Sequence, residues 1–338
     1  MASLITNGTV FDISHIEPIR NNSSVHFSNE YLFYSNSPET FDSSALADYG
    51  KWLFKGDVEG SGQVYTWHVN KTGRRITSCL LIYNPNSFEI TVTSTNRGLT
   101  NNSGEPDTEA WKSYFLGSRS ESITIAPYGY GTLFQQSVAN GRVFGIVART
   151  NVTRRGSSTP AKAVFYDLAY DTNSGGANSY AIAQSSHQRG VGNSFYTTFY
   201  FNELNITSSG PQAYSIGSGD DTFYGEDMVT IVDENRVPNP LLGNFGQQLE
   251  VNLPIKNSTG SSGTFYVFLG SRGGVCNPIV SLDGSVHYKN WVGNEDYMRA
   301  VDMINVGYLA NGQATTVRFH TAVSGMSNTP YVIGVRKL

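Results

Sequence analysis

Few residues of this 338-residue chain have the type and setting to do chemistry. His68 lies on an alternating run, Gln63 to Asn70, between Trp67 and Val69. A catalytic base needs a positioned partner, and no Ser or Cys nucleophile motif stands near it, so a structural histidine is expected. Gly219-Asp220-Asp221 with Glu226-Asp227 collects carboxylates that could hold Ca²⁺ through oxygen. Their spacing is not that of an EF-hand, and a solvated acidic loop is the better reading. Trp52, Trp67, Trp111 and Trp291 could stack on sugars. Trp52 and Trp67 sit in apolar strand contexts and are expected in the core, whereas Trp291 follows Lys289-Asn290 in a loop-like stretch and is the candidate ligand contact. Cys79, mid-strand in TSCLLIY, reads as a buried thiol. Cys276, after Gly273-Gly274-Val275, reads as an exposed one able to crosslink subunits. Two cysteines alone cannot build a zinc site. No G-x-S-x-G, H-E-x-x-H, P-loop or dinucleotide fingerprint occurs. A glycosidase needs two facing carboxylates, and the 27 acidic residues single out no pair. The expectation is a non-enzymatic protein with no cofactor and no metal.

The elements around these residues read as strands. Leu80 to Gly98, LLIYNPNSFEITVTSTNRG, has an approximate second copy in Leu253 to Gly274, LPIKNSTGSSGTFYVFLGSRGG. Each is an apolar strand, an Asn-led turn (Asn84-Pro85-Asn86-Ser87; Asn257-Ser258-Thr259-Gly260), a second strand and an Arg-Gly stop. In the first copy Phe88, Ile90 and Val92 alternate with Glu89, Thr91 and Thr93, which gives one buried and one wet face. In the second, Phe265, Val267 and Leu269 stand against Tyr266 and Phe268, so both faces are apolar. Strand, short turn, strand reads as a hairpin. Downstream, Ile123 to Ile125 matches Ile304 to Val306, and Val143 to Arg149 matches Tyr331 to Arg336. The order is collinear and suggests an internal duplication.

Composition fits that reading. Gly is 35 of the residues, Tyr 20 and Phe 18, while only 15% are charged, as in turn-rich β-sandwiches. The expected fold class is all-β, two tandem β-sandwich (jelly-roll or Ig-like) domains. The expected boundaries are an N-terminal arm at 1–28, a first sandwich at 29–170, a linker at 171–189 around DTNSGGA, and a second sandwich at 190–338. A short helix is expected over Thr108 to Leu116 and a helical turn over Ser43 to Tyr49. Asp283-Gly284 reads as a type I′ turn. A net charge of −4 without a basic cluster points away from nucleic acid. No apolar run is long enough to span a membrane, and MASLITNGTVFDISH shows no leader pattern.

The arm carries short extended pieces around Leu4, Ile5, Val10, Phe11 and Ile13. It is expected either to pack on its own domain or to add a strand to a neighbouring subunit, since an exposed sheet edge templates another chain.

The run FYSNSPET (Phe33 to Thr40), then Gly-Asp-Val-Glu-Gly, then VYTWHVN (Val64 to Asn70) resembles an extracellular β-rich module of Firmicutes surface and stalk proteins. That module is often found beside copper-amine-oxidase N-terminal-like stalk domains. Arg189-Gly190, the KNST turn at Lys256 to Thr259, SRGG at Ser271 to Gly274 and SGMSNTPYVIGV at Ser324 to Val335 are similar to its closing portion. The resemblance implies a bacterial cell- or spore-surface protein and carries over no catalytic residue. The leading expectation is therefore a structural protein that self-assembles as a fibre or layer through strand edges and the arm. The alternatives are a carbohydrate-binding or adhesion module for a surface glycan, and a hydrolase with an interdomain site.

Overall fold

A computed structural model describes residues 2–19, 24–42, 50–117, 119–171, 177, 179–218, 224–225, 229–294 and 296–338. The helical turn expected over 43–49 and the carboxylates at 220, 221, 226 and 227 lie outside them. In chain order the strands are β1 (Ser3–Leu4), β2 (Val10–Asp12), β3 (Ser24–Phe27), β4 (Tyr31–Ser35), β5 (Thr40–Asp42), β6 (Lys51–Lys71), β7 (Ile76–Tyr83) and β8 (Ile90–Asn102). Helix α1 (Thr108–Phe115) follows, where the sequence expects it, and then β9 (Glu121–Ile125), β10 (Tyr130–Val138), β11 (Val143–Arg154), β12 (Lys162–Asp171) and β13 (Arg189–Gly192). Next come β14 (Tyr196–Tyr200), β15 (Leu204–Thr207), β16 (Gln212–Ser218), β17 (Tyr224–Gly225), β18 (Thr230–Val232) and β19 (Pro238–Pro240). The chain closes with β20 (Gln248–Ser258), β21 (Gly263–Ser271), β22 (Ile279–Leu282), β23 (Ser285–Tyr288), β24 (Arg299–Leu309), β25 (Ala314–Thr321) and β26 (Tyr331–Lys337). The fold is all-β, of the sandwich kind. Among the described residues no helix is long and apolar enough to cross a membrane.

The chain divides into two compact units, neither of them continuous in sequence. A middle unit holds Asn29–Phe195 and Val229–Pro240; a terminal unit holds Met1–Ser28, Tyr196–Met228 and Leu241–Leu338. This redraws the expected boundaries. Residues 1–28 belong with the C-terminal strands, 177–195 belong with the middle unit, and 229–240 return to that unit as β18 and β19.

In the middle unit one sheet runs β10-β7-β12-β6. The other is built from β9, β8, β11 and β6, with β4, β13, β18 and β19 continuing it. The 21-residue β6 serves both sheets. Its first half pairs with β12 and its second half with β11, and Gly60, at φ +71°, makes the bend. Phe33, Phe54, Leu80, Ile82, Val92, Ile146 and Phe165 fill the space between. In the terminal unit β24-β21-β26-β16 faces β22-β25-β20-β14 across Leu249, Val251, Phe265, Val267, Met303 and Ile333.

The Asn-led turns are not hairpins. β7 pairs with β10 and β12, while β8 pairs with β9 and β11, so the chain crosses between sheets at Asn84. The crossing at Asn257 is alike: β20 pairs with β25, and β21 with β24 and β26. A third crossing follows β6 at Asn70. Such arches lack the ladder bonds of a hairpin, and their buried backbone groups need other partners. Each asparagine supplies them and is fully buried. The Nδ2 of Asn84 donates to Phe88 O (2.8 Å) and Ile125 O (3.1 Å). That of Asn257 donates to Ser261 O (2.9 Å) and Leu309 O (3.0 Å), and that of Asn70 to Arg74 O (2.9 Å) and Val138 O (3.2 Å). In each case Oδ1 accepts the N–H two residues on. Each backbone N–H donates into a second arch, to Gly129 O, Gln313 O or Arg142 O. Asn70 and Asn257 are the closest pair: both head Asn-x-Thr-Gly and clasp an Ala-Asn-Gly turn, where Asn140 or Asn311 accepts the glycine N–H at 2.9 and 3.0 Å. The Asp283-Gly284 turn is left-handed at both positions, as type I′ requires.

The arm is a working part of the terminal unit. β1 and β2 pair antiparallel with β24 (Ser3↔Asn305, Val10↔Val301), and the Ile5 N–H donates to Met303 O at 3.0 Å. Gly8 sits so close to β24 that a Cβ would fall 1.8 Å from Asp302 O. Residues 13–19 then strap the outer face of the sheet: Ile13 N–H bonds Met298 O (3.0 Å) beside β24, and Ile19 N–H bonds Ala213 O (2.8 Å) on β16. Ile13 and Ile16 are buried against Ala213, Phe268, Ala300 and Val332. Phe11 meets Phe268 edge-on at 5.1 Å and lies under the Arg336 guanidinium at 3.8 Å, itself paired with Asp302. Leu4 packs on the main core. Of the two expectations for Leu4, Ile5, Val10, Phe11 and Ile13, packing within the chain or reaching a neighbouring subunit, the structure shows contacts within the chain, which cover the edge of β24 and the apolar outer face of β21.

Candidate functional site

β12 carries two kinds of residue on its two faces. Inward, Asp167 receives His68 Nε2 at 2.8 Å, while His68 Nδ1 donates to Pro38 O at 2.6 Å. Both side chains are buried. With Nδ1 against a carbonyl and Nε2 against a carboxyl, both ring nitrogens are engaged within the fold. Arg189 lies in the same polar interior. Its Nη1 donates to Ser37 O (2.9 Å), Leu53 O (2.7 Å) and Ala181 O (3.1 Å), and its Nε to Glu234. Burial alone would raise the Glu234 carboxyl, but hydrogen bonds from Arg189 hold it below its ordinary value. The motifs carrying the family resemblance, Ser-Pro-Glu, His-x-Asn and Arg-Gly, converge on this interior. Their role here is to tie β4, β6, β12 and β13 together, and His68 is the structural histidine the sequence expects.

Outward, successive strands place rings in a row. Alternation along β7 and β12 points Cys79, Leu81, Tyr83 and Val164, Tyr166, Leu168, Tyr170 to the outer face. Tyr130 of β10 pairs in register with Tyr83. Trp52 of β6 is bracketed by the segment after β12: its N–H donates to Ser179 O and its carbonyl accepts from Ala181, both at 2.8 Å. Tyr83, Tyr130, Tyr166, Trp52 and Tyr180 follow one another with centroid steps of 4.9, 6.5, 6.1 and 5.4 Å. Tyr130 is 62% exposed, and Tyr83, Trp52 and Tyr180 are half-buried. The Lys55 ammonium lies over Trp52 and Tyr166 at 5.9 and 5.4 Å, and Arg189 stacks on Tyr180 at 5.3 Å. Burial pushes the Tyr166 phenol up to about 12 and raises Tyr170 and Tyr180. These hydroxyls stay protonated at neutral pH and serve as hydrogen-bond partners rather than bases.

Beside this row a cavity of about 460 Å³ is lined by Lys55, Asp57, Tyr180, Glu234 and Arg236 among others. A second, of about 410 Å³, lies on the other side of Asp57 against Tyr31, Pro85 and Val164. Both fall within the size range of small-ligand clefts. The first sets Tyr180, the end of the row, beside charged groups able to hydrogen-bond a polar ligand that stacks on the neighbouring rings.

The sequence-expected residues scatter. Trp67 and Trp111 are buried, while Trp52, expected in the core, stands on the outer face because the bulge between Asp167 and Leu168 shifts the β6–β12 register beside it. Trp291 is 46% exposed on a loop of the terminal unit. Cys79 is buried on the outer side of β7. Cys276, expected as an exposed crosslinking thiol, is fully buried and unpaired, and burial pushes its thiol far up. It faces the sandwich core with Val280 and Val292, because Cys276 and Val292 bridge each other's backbone. Sequence reasoning passed over Tyr83, Tyr130, Tyr166 and Tyr180. A signal for Tyr83 and Tyr166 exists in ITSCLLIY and KAVFYDLAY, where both alternating faces are apolar although one faces outward.

No family model matches the chain, and no curated protein matches it. Among solved structures it is similar to a Paenibacillus xanthan lyase at 10% identity, covering 99% of this chain and 25% of that one, with a TM-score of 0.15. It is similar to the PBSX exported protein XepA at 5% identity, covering 99% and 86%, with a TM-score of 0.13. To PNGF-II the identity is 11%, covering 94% and 65%, with a TM-score of 0.15. The chain thus spans a quarter of the xanthan lyase's length. Likenesses this distant assign neither a family nor an activity, and the resemblance to Firmicutes surface modules rests on the quoted motifs alone.

Proposed function

We propose that this protein is a non-enzymatic carbohydrate-binding module of the bacterial cell or spore surface, which takes a glycan on the outer face of the middle unit. The observation carrying this reading is the row of five successive rings, four of them half-buried or exposed, that ends at Tyr180, where a cavity is also lined by Lys55 and Asp57. The C–H faces of sugar rings stack on such aromatics, and charged groups at the rim bond their hydroxyls. A contiguous apolar surface of this kind marks an interaction site. The surface location draws its support from the quoted family motifs. Arm-driven self-assembly has less to stand on, since the arm's strands already complete the chain's own sheet.

The test is a glycan array with the full-length chain, followed by affinity electrophoresis on the hits. Binding that Trp52→Ala and Tyr166→Ala both weaken is the expected result. Hits that neither change touches, or an array without hits, would sink the proposal.

A further inference from the structure

Trp291 holds a conformation that its own burial does not explain. Its φ is +60°, in the left-handed region that bulky L residues rarely adopt, yet the residue is 46% exposed. Local strain of this kind persists only where the surroundings over-determine it, and here they do. Asn277 is fully buried. Its Oδ1 accepts the Trp291 N–H at 2.9 Å, its Nδ2 donates to Met326 O at 3.0 Å, and its own N–H donates to Ser327 Oγ at 3.0 Å. Ser324 Oγ donates to its carbonyl at 2.8 Å. On the next residue, Val292 exchanges backbone bonds with Cys276 at 2.8 and 2.9 Å and is buried. The backbone is thereby fixed while the side chain remains accessible.

Glycine or asparagine would take this backbone without strain. A tryptophan at this position therefore serves its ring and not its turn. An indole held out on a rigid frame loses little freedom on binding, which is the condition for an aromatic anchor. The occupant follows from what surrounds it. The nearby exposed ring, Tyr297, already carries the Arg299 guanidinium at 5.3 Å. Asn294 offers a neutral amide whose Oδ1 is engaged by the Asp296 N–H at 3.0 Å. An open indole with a neutral amide three residues along the chain, and with no cation stacked on it among the described residues, suits the C–H face and hydroxyls of a sugar ring better than it suits a cation. We propose that Trp291 is a second carbohydrate-stacking residue, in the terminal unit and separate from the aromatic row of the middle unit. It shares with the reading above only the class of ligand.

The experiment uses the full-length chain on an array of plant, fungal and bacterial polysaccharides, with affinity electrophoresis and thermal melts of Trp291→Gly, Trp291→Ala and Trp52→Ala. Trp291→Gly relieves the strain, so its melting midpoint is expected to hold or rise. Its affinity for at least one glycan is expected to fall about tenfold or more, including in a Trp52→Ala background. Retention of every glycan at wild-type strength by Trp291→Gly overturns the inference. If Trp52→Ala alone abolishes all binding, the middle-unit site stands and this one falls. If only the Trp291 variants lose binding, this one stands and the middle-unit site falls. An array on which the wild-type chain binds nothing overturns both.

Discussion

Each unit has a sheet whose outer face is apolar, and the two faces are treated differently. In the terminal unit Phe268, Ala213, Ala300 and Val332 are roofed by Phe11, Ile13 and Ile16 from the chain's own arm. In the middle unit Tyr83, Tyr130 and Trp52 remain half-buried or exposed in a row. Apolar surface left in contact with water forgoes roughly 25 cal/mol per Å² of stabilisation. The arm shows that this chain can cover such a face where nothing else is to bind there. This difference is what favours the aromatic row over the arm in the proposed reading.

The comparison can be broken most directly by removing the roof. Deleting residues 1–19 strips two fully packed isoleucines and a phenylalanine ring, each worth about 1.5–3 kcal/mol of burial, and bares the β24 edge. The expected outcome is a terminal unit that aggregates or melts lower by about 10–20 °C, while the middle unit keeps its own transition in calorimetry. A truncated chain that melts like the wild type would show the roof to be dispensable. This is also why truncation cannot serve as a test of assembly: it removes part of the fold.

The next effect sets the inner face of β12 against its outer one. His68→Ala leaves Asp167 buried without its partner, and breaking a buried pair from one side costs about 3–5 kcal/mol. Urea denaturation should show the loss. Tyr130→Ala on the outer side should move stability by about 1 kcal/mol or less and weaken glycan binding about 3–10-fold, the worth of one aromatic contact. A Tyr130→Ala protein as destabilised as His68→Ala would make the row a core in disguise.

Between these falls Gly8→Ala. The added methyl would strike the Asp302 carbonyl, and relief requires the arm to lift from β24. A loss of about 1–3 kcal/mol is expected, read as a lower midpoint for the terminal unit, with hydrogen exchange rising at Ile5 and Ile13.

The same contrast explains how much could be read from sequence. The all-β fold, the helix around Trp111 and the type I′ turn at Asp283-Gly284 follow from alternation, residue preference and turn chemistry, all of them local. The arches at Asn84 and Asn257 read as hairpins because strand, turn and strand look the same whether the second strand pairs beside the first or crosses to the facing sheet. Only long-range pairing decides that. The likeness of the Asn-led turns at Asn84 and Asn257 was legible, but the nearer chemical match, Asn70 with Asn257, lay one arch earlier. Apolar residues on both faces of β21 were visible in sequence, though not that residues some 250 positions away cover them. Cys276 misled because glycines before it look like a loop, whereas its backbone bridge to Val292 draws it inside. Trp52 misled for the opposite reason: its strand is buried on one face, and a register shift puts the indole on the other.

The smallest expected effect concerns acid. Glu234 has its carboxyl held below the ordinary value, about 4.5, by the hydrogen bonds of Arg189. A carboxyl depressed in the folded state stabilises the fold above its unfolded value and ceases to do so as pH falls through the folded one. The middle unit should therefore hold its midpoint down to about pH 4.5 and lose stability below it. Glu234→Gln removes that titration, so its midpoint should start lower at neutral pH and fall less steeply in acid. The partial exposure of Glu234 keeps the expected shift modest. Because Arg189 also stacks on Tyr180 at the end of the aromatic row, glycan binding in Glu234→Gln sharpens the comparison further. Unchanged affinity would place the boundary between scaffold and binding surface at Tyr180, and weakened affinity would place the Arg189–Glu234 pair on the binding side of it.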